Sequence, residues 1–207
     1  MKIGFSFFSA ACAALCGLFL SGCFNEPESA YRTVREEARV YLQDKGLKDL
    51  KGVADAFKAG DEIDYVNLDR NDLIVFPEEL LALKGLKWLR LNSNHLTTLP
   101  DEVAGLTNLR RLYLTQNQFS EVPEALMRLP ALTDVILAKN PISVVPDALA
   151  KKTGLEFVDL SFTNISHLPA DLSAWKSLKA LTLGGLNFTA EEMARIRKAL
   201  PDTAVVF

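Results

Sequence analysis

Apolar and polar positions recur along this chain in three combs that share one interval of 23 residues. Leu68, Leu91, Leu114, Leu137, Leu160 and Leu183 form the first comb, and Asn71, Asn94, Asn117 and Asn140 follow three residues behind it. The third is a step from an apolar residue into proline, at Pro77, Pro100, Pro123, Pro146 and Pro169. Three residue types held in phase mean a stacked repeat, in which each unit buries its apolar side only against its neighbours. Within a unit, Leu89 and Leu91 lie two apart and so point the same way from a short strand. Asn94 stands where the chain turns off that strand. Its amide donates and accepts, so stacked asparagines can satisfy loop backbone groups and one another. The Leu-Pro step predicts an extended return segment, because proline sets φ and the residue before it avoids the helical region.

Both ends of the combs read differently. Tyr31, Val34, Ala38, Tyr41 and Leu42 follow a three-and-four spacing, which predicts a helix over Tyr31–Gln43 stopped near Gly46. A second short helix is expected over Leu47–Lys58, with Leu50, Val53, Ala54 and Phe57 inward and Gly60 at its end. Together they make residues 31–62 an N-terminal helical cap over the open edge of the first repeat, with partner contact as the other reading. At the far end the asparagine comb lapses: Thr163 and then Leu186 occupy its place. Thr189-Ala-Glu-Glu192 is a capping box that opens a helix carrying Met193, Ile196, Arg197 and Leu200. After Pro201 comes a strand-like run from Ala204 to Phe207.

The clearest unit reads Leu86, Leu89, Leu91, Asn94, Leu96, Leu99, Pro100, Val103 and Leu106; the next repeats it with Leu109, Leu112, Leu114, Asn117, Phe119, Val122, Pro123, Leu126 and Leu129. This resembles the leucine-rich repeat family in its 23-residue Leu-Pro class, over Ile63 to Phe188. The resemblance implies an α/β solenoid: a leucine-rich repeat arc of about six units over residues 63–188, with a short parallel sheet on the concave face. It also implies a C-terminal helix-strand cap over residues 189–207, so that the chain is expected to be close to complete. Family members with ubiquitin-ligase activity carry a separate catalytic domain with a cysteine, and that activity is not carried over to this chain.

Ahead of the repeats, Lys2 is followed by an apolar run from Ile3 to Leu20 that ends Leu20-Ser21-Gly22-Cys23. A basic residue, an apolar core and small residues before a cleavage point are the parts of a secretory signal. The last four residues resemble a bacterial lipobox. That resemblance makes residues 1–22 a lipoprotein signal peptide and Cys23 the lipidation site, its sulfur bearing a diacylglyceryl group through a thioether. A transmembrane anchor is the alternative, since the run lies near the lower length for spanning. Two or three acyl chains would anchor the chain stably, where one is marginal. Phe24, rather than Asp, after the cysteine implies the outer membrane of the cell envelope. Residues 23–30 then form the lipidated cysteine and a polar tether, whose stretch from Phe24 to Ala30 reaches about 23 Å when extended.

Composition narrows the function further. Net charge is -3, and without Lys2 it is -4, which lacks the strongly basic footprint of nucleic-acid binding. All three cysteines, Cys12, Cys16 and Cys23, lie in the leader. His95 and His167 stand three repeats apart with no ligand spacing around them. No Gly-rich phosphate loop or nucleophile elbow occurs, and the adjacent carboxylates Glu78-Glu79 and Glu191-Glu192 suit a return segment and a helix first turn. The expectation is a non-enzymatic protein with no cofactor and no metal.

What remains is a surface. Residues between the inward leucines should face outward from the concave sheet, and its middle carries Trp88, Arg90, Arg111, Tyr113, Asp134, Ile136, Phe157 and Phe162. Aromatic and arginine mixtures of this kind are typical of binding hot spots, which makes the expected partner an envelope protein or peptide. The opposing reading is a face that satisfies itself, with Arg111 paired to Asp134 and stacked on Trp88, and Arg90 stacked on Tyr113. That reading leaves a structural or assembly lipoprotein with no dedicated ligand. Six strands offer about 400 Å² of flat face, half of the roughly 800 Å² per partner in a standard interface.

Overall fold

In the computed structural model of the chain the described residues are 34–36, 39–57 and 62–207, all within one compact unit, Tyr31–Phe207. Residues 1–33, with the signal segment, Cys23 and the tether, lie outside them.

Short strands of three residues recur along the chain, at the predicted 23-residue beat from β3 to β8. They are β1 (Val34–Glu36), β2 (Arg39–Tyr41), β3 (Tyr65–Asn67), β4 (Trp88–Arg90), β5 (Arg111–Tyr113), β6 (Asp134–Ile136), β7 (Phe157–Asp159), β8 (Ala180–Thr182) and β9 (Ala204–Val206). They form one sheet in the order β1 to β9. The β1–β2 pair is antiparallel and every later pair is parallel. The register is strict: Tyr65 lies beside Trp88, Trp88 beside Arg111, Arg111 beside Asp134 and Asp134 beside Phe157. This is a repeat solenoid, and the core runs through it as a stack. Val66, Leu68, Leu89, Leu91, Leu114, Leu137 and Leu160 are all 0% exposed. Trp175, in the return segment of the fifth repeat, is also 0% exposed, and its Nε1 donates to the Leu149 carbonyl at 2.9 Å.

The asparagine comb works through the backbone. Asn117 Oδ1 accepts from Leu96 N at 3.1 Å, and its Nδ2 donates to the carbonyls of Leu91 at 2.9 Å and Leu114 at 3.1 Å. Asn94 and Asn140 repeat the pattern on Leu73 N and Phe119 N. The expected bonds between stacked asparagines give way to this arrangement, in which each amide ties its own turn to the repeat before it. Thr163 is too short for that reach and makes one bond, to the Leu160 carbonyl at 2.7 Å. The prolines themselves are extended, as at Pro77 (φ -69, ψ 119), but the return segments are not. The first four continue directly into a single turn: a 3₁₀ turn at Glu78–Ala82, Asp101–Gly105 and Glu124–Arg128, and helix α1 (Asp147–Ala150) in the fourth; in the fifth the 3₁₀ turn Ser173–Ser177 follows Leu172 instead of Pro169. Proline suits the residue before such a turn because its fixed φ leads into it and no donor is lost there.

The N-terminal reading needs correction. The helix expected over Tyr31–Gln43 is absent from its described part, where β1 and β2 stand instead. Val40 and Leu42, two apart and both 0% exposed, are the inward pair of a strand. Leu42 N donates to the Asn67 carbonyl just as Leu68 N donates to that of Arg90. Residues 40–57 are thus a degenerate repeat. Lys45 stands where the asparagine would be, and Asn71 Oδ1 accepts from both Lys45 N and Leu47 N. A helical period was legible, but the sheet edge offered a ladder of backbone bonds, and tertiary pairing overrode local periodicity. The second expected helix is a kinked 3₁₀ segment, Lys51–Phe57, with Val53 and Phe57 buried and Ala54 exposed.

The C-terminal reading stands. Helix α2 (Ala190–Ala199) is capped by Thr189, whose hydroxyl accepts from Glu192 N at 3.2 Å, and β9 closes the sheet against β8. Glu192 does not return to the cap. It accepts from Leu168 N at 2.9 Å, while Arg195 donates to the Leu168 carbonyl at 2.9 Å and pairs with Glu192 at 2.8 Å. The helix is thereby clamped to the fifth Leu-Pro step. Arg195 holds the Glu192 carboxyl below its ordinary pKa, which is how a paired, hydrogen-bonded carboxylate behaves.

Candidate functional site: the concave face

In each strand from β3 to β8 the central residue is buried, and the two flanking ones form two rows on the open face. The first row runs Tyr65, Trp88, Arg111, Asp134, Phe157, Ala180; the second runs Asn67, Arg90, Tyr113, Ile136, Asp159, Thr182. Seven of the eight residues singled out from sequence fall in these rows. Phe162 lies just beyond its strand.

The N-terminal half of the face satisfies itself. Tyr41, Tyr65 and Trp88 form an aromatic tier with centroids 5.3 Å and then 6.0 Å apart, the second contact edge-on at 73°. The Arg111 guanidinium lies 4.7 Å over Trp88, and that of Arg90 lies 5.0 Å over Tyr113. Both arginines also bind carboxylates: Arg90 reaches Asp69 at 2.6 Å and Arg111 reaches Asp134 at 3.3 Å. Thr133 Oγ1 donates a further bond to Asp134 at 2.5 Å. Asp69 and Asp134 are buried, so these pairs are less screened than surface ion pairs. Burial likewise raises the Tyr65 phenol above its ordinary pKa.

The C-terminal half is different. Ile136, Phe157 and Asp159 are half-buried and Phe162 is 61% exposed. Asp159 Oδ1 accepts from Ser161 N at 2.9 Å. Among the described residues no lysine, arginine or histidine makes an ion pair with it. The sequence does not single out Asp159, because its column holds Asn, Arg, Tyr, Ile and Thr in other repeats and nothing there marks a carboxylate.

The backbone conformation of a further outward column, the one that holds Phe162, is not legible in the sequence. Arg70, Ser93, Gln116, Lys139 and Phe162 all have φ between 55° and 58°, a left-handed conformation that only Gly185 (φ 74°) in the column adopts readily. Side chains are forced into it because each N–H donates to the next repeat, as in Lys139 N to Ser161 O and Phe162 N to Gly184 O, both 2.8 Å. Asp44 (φ 58°) begins this column in the degenerate repeat, and Arg70 pairs with it at 2.5 Å, which raises the guanidinium and lowers the carboxyl.

Other chemistry is sparse. His95 meets Gln118 at 3.2 Å and His167 meets Ser166 at 3.2 Å, both exposed. Among the described residues no group of His, Cys, Asp or Glu is arranged to hold a metal. No described helix is long and apolar enough to cross a membrane. A groove of about 580 Å³ lies away from the sheet, between the third and fourth return segments, lined by Glu121, Val122, Met127, Val144 and Pro146 among others.

Residues 61–119 and 84–142 each match the sequence model of the leucine rich repeat. In structure the chain is similar to a leucine-rich repeat protein of Leptospira interrogans, with 25% identity, a TM-score of 0.66, and coverage of 82% of this chain and 48% of that one. It is also similar to an internalin, InlF, of Listeria monocytogenes, with 19% identity, a TM-score of 0.65, and coverage of 81% of this chain and 46% of that one. The chain thus spans about half the length of the solved proteins it matches. No curated protein matches it in sequence.

Proposed function

Because this chain is a leucine-rich repeat protein, we propose that it is a non-enzymatic binding module that takes a protein or peptide on its concave face, tethered to the bacterial cell envelope by lipid on Cys23. One observation carries the binding reading. The face keeps apolar and aromatic side chains at solvent, Phe162 61% exposed and Ile136 and Phe157 half-buried, where a monomeric sheet face would ordinarily be polar. The tether reading is supported by Leu20-Ser21-Gly22-Cys23 alone, with Phe24 favouring the outer membrane.

Eight parallel strands widen the face beyond the six expected. Seven spacings make it about 34 Å across, and at about 15 Å deep it offers roughly 500 Å². That remains below the ~800 Å² of a standard partner surface, so a short extended segment suits it better than a globular domain. The test is crosslinking in the native membrane with a Phe157→Ala, Phe162→Ala double variant alongside. Capture of the same envelope partners at unchanged yield would sink the concave-face reading. For the tether, Cys23→Ser should abolish lipid labelling and leave an uncleaved precursor; a processed soluble product would refute it.

A second reading, an assembly lipoprotein without a concave-face ligand, draws on the self-paired Arg90 and Arg111. It predicts that face substitutions are silent and that α2 clamp substitutions are not.

A further inference from the structure

Three carboxylates lie on the open face between β3 and β7, and two of them are satisfied within the fold: Asp69 by Arg90 and Asp134 by Arg111 and Thr133. Asp159 is the exception. It is half-buried, spends one oxygen on Ser161 N, and pairs with no described cation. Its neighbours in the row are Ile136 and Thr182, and Phe157 precedes it by two on the same strand and same face. A carboxylate so placed has lost part of its water without gaining a counter-charge, which leaves it a strong site for an incoming cation.

Beside it stands an aromatic ring that is exposed yet fixed. Phe162 is held at φ 55° by its bond to Gly184 O, and its ring lies against Gly185, where an added Cβ would come within 2.5 Å of a ring carbon. Lys139 Nζ lies 5.9 Å from the ring centroid on the neighbouring repeat. A large side chain in a left-handed backbone, pinned from below and open above, has little conformational freedom left to lose on binding. The ring itself covers Gly185, and Gly184 adds no side chain beside it.

We propose that the stretch of the concave face from β6 to β8 recognises an extended protein segment that sets a lysine or arginine on Asp159 and an apolar side chain against Phe162. This rests on the binding module proposed above and specifies its ligand. Three strands span about 10 Å, which three or four extended residues at about 3.3 Å each would cross. The recognised element is therefore a short linear stretch with one cation and one apolar anchor.

The test is selection of a phage-displayed library of random peptides on the purified full chain. Enriched peptides should carry Lys or Arg near an apolar residue. Their binding should fall at least about tenfold with Asp159→Asn, the scale of a lost charge-assisted bond, and similarly with Phe162→Ala. Asp159→Asn keeps the turn intact, because Asn67 in the equivalent position of repeat one accepts from Asp69 N at 2.9 Å in the same way. Selection on Asp159→Lys should shift enrichment toward Asp and Glu. Enriched peptides that bind Asp159→Asn as tightly as the parent would overturn this inference and leave the binding module standing. Failure of any peptide to enrich would overturn both.

Discussion

The two halves of the concave face are built on one backbone register but differ in how they treat charge. From β3 to β5 the arginines are doubly engaged, each over a ring and each on a buried carboxylate. From β6 to β8 the same rows hold Ile136, Phe157, Asp159 and Thr182, with no cation on the central carboxylate among the described residues. Residue type alone marks the first half as the more binding-like, because Trp, Tyr and Arg dominate hot spots. Contacts reverse the ranking, since groups that already bind each other must be separated before they can bind anything else. The halves also differ beneath the surface. Asn71 through Asn140 stitch the early turns, whereas Thr163 and Leu186 do not.

The largest effect that would sharpen this contrast is in the stitching. Asn117→Ala leaves Leu96 N buried without its acceptor and strips one of two donors from the Leu91 carbonyl, which keeps Asn94 Nδ2 at 3.1 Å; it should cost about 2 to 3 kcal/mol, measured by denaturant unfolding, whereas Thr163→Ala should cost about 1 kcal/mol. Equal losses would mean the ladder is not what separates the halves. Next comes Arg111→Ala, which frees buried Asp134 and uncovers Trp88. Because Arg111 is 40% exposed, the loss should be about 1 to 2 kcal/mol rather than that of a fully buried pair, with no change in peptide binding. Weakened binding with stability intact would place the ligand on the N-terminal half after all.

Gly185→Ala probes the other half. The added methyl meets the Phe162 ring and the residue must hold φ 74°, so about 1 to 2 kcal/mol should be lost; adding Phe162→Ala should recover the steric part. The smallest effect concerns the clamp that joins α2 to the fifth repeat. The folded pKa of Glu192 is depressed, so its contribution is complete above the ordinary Glu value of about 4.3 and is lost as pH falls through the lower folded value. Parent and Glu192→Gln should therefore differ in stability at neutral pH and converge in acid. A difference that grows on acidification would contradict the clamp.

Much of this molecule is legible in its sequence, for a physical reason. A repeat multiplies each local signal: one Leu-x-Leu or Val-x-Leu pair is weak, but six in phase leave few other folds, and Thr189 caps α2 as a local motif should, although Glu192 turns away to the fifth repeat. Legibility ended where phase ended. The interval from Leu42 to Leu68 is 26 residues instead of 23, and Lys45 replaces the asparagine, so the degenerate repeat reads as a helix until β3 supplies its ladder. The left-handed conformation of the column that holds Phe162 is hidden for another reason. Its side chains share no chemistry, and only the bond from each N–H to the next repeat imposes the conformation.

The amino-acid sequence by itself determined the solenoid, its beat, its inward leucines, its buried asparagines and the identity of the residues offered to solvent on the sheet. Those follow from periodicity, which is a property of the chain alone. Only the tertiary structure decided which of those outward residues are already satisfied. Whether Arg111 has found Asp134, or Asp159 has found no cation among the described residues, depends on strands 23 residues apart lying about 4.8 Å from each other, and on which charges that stacking places within reach.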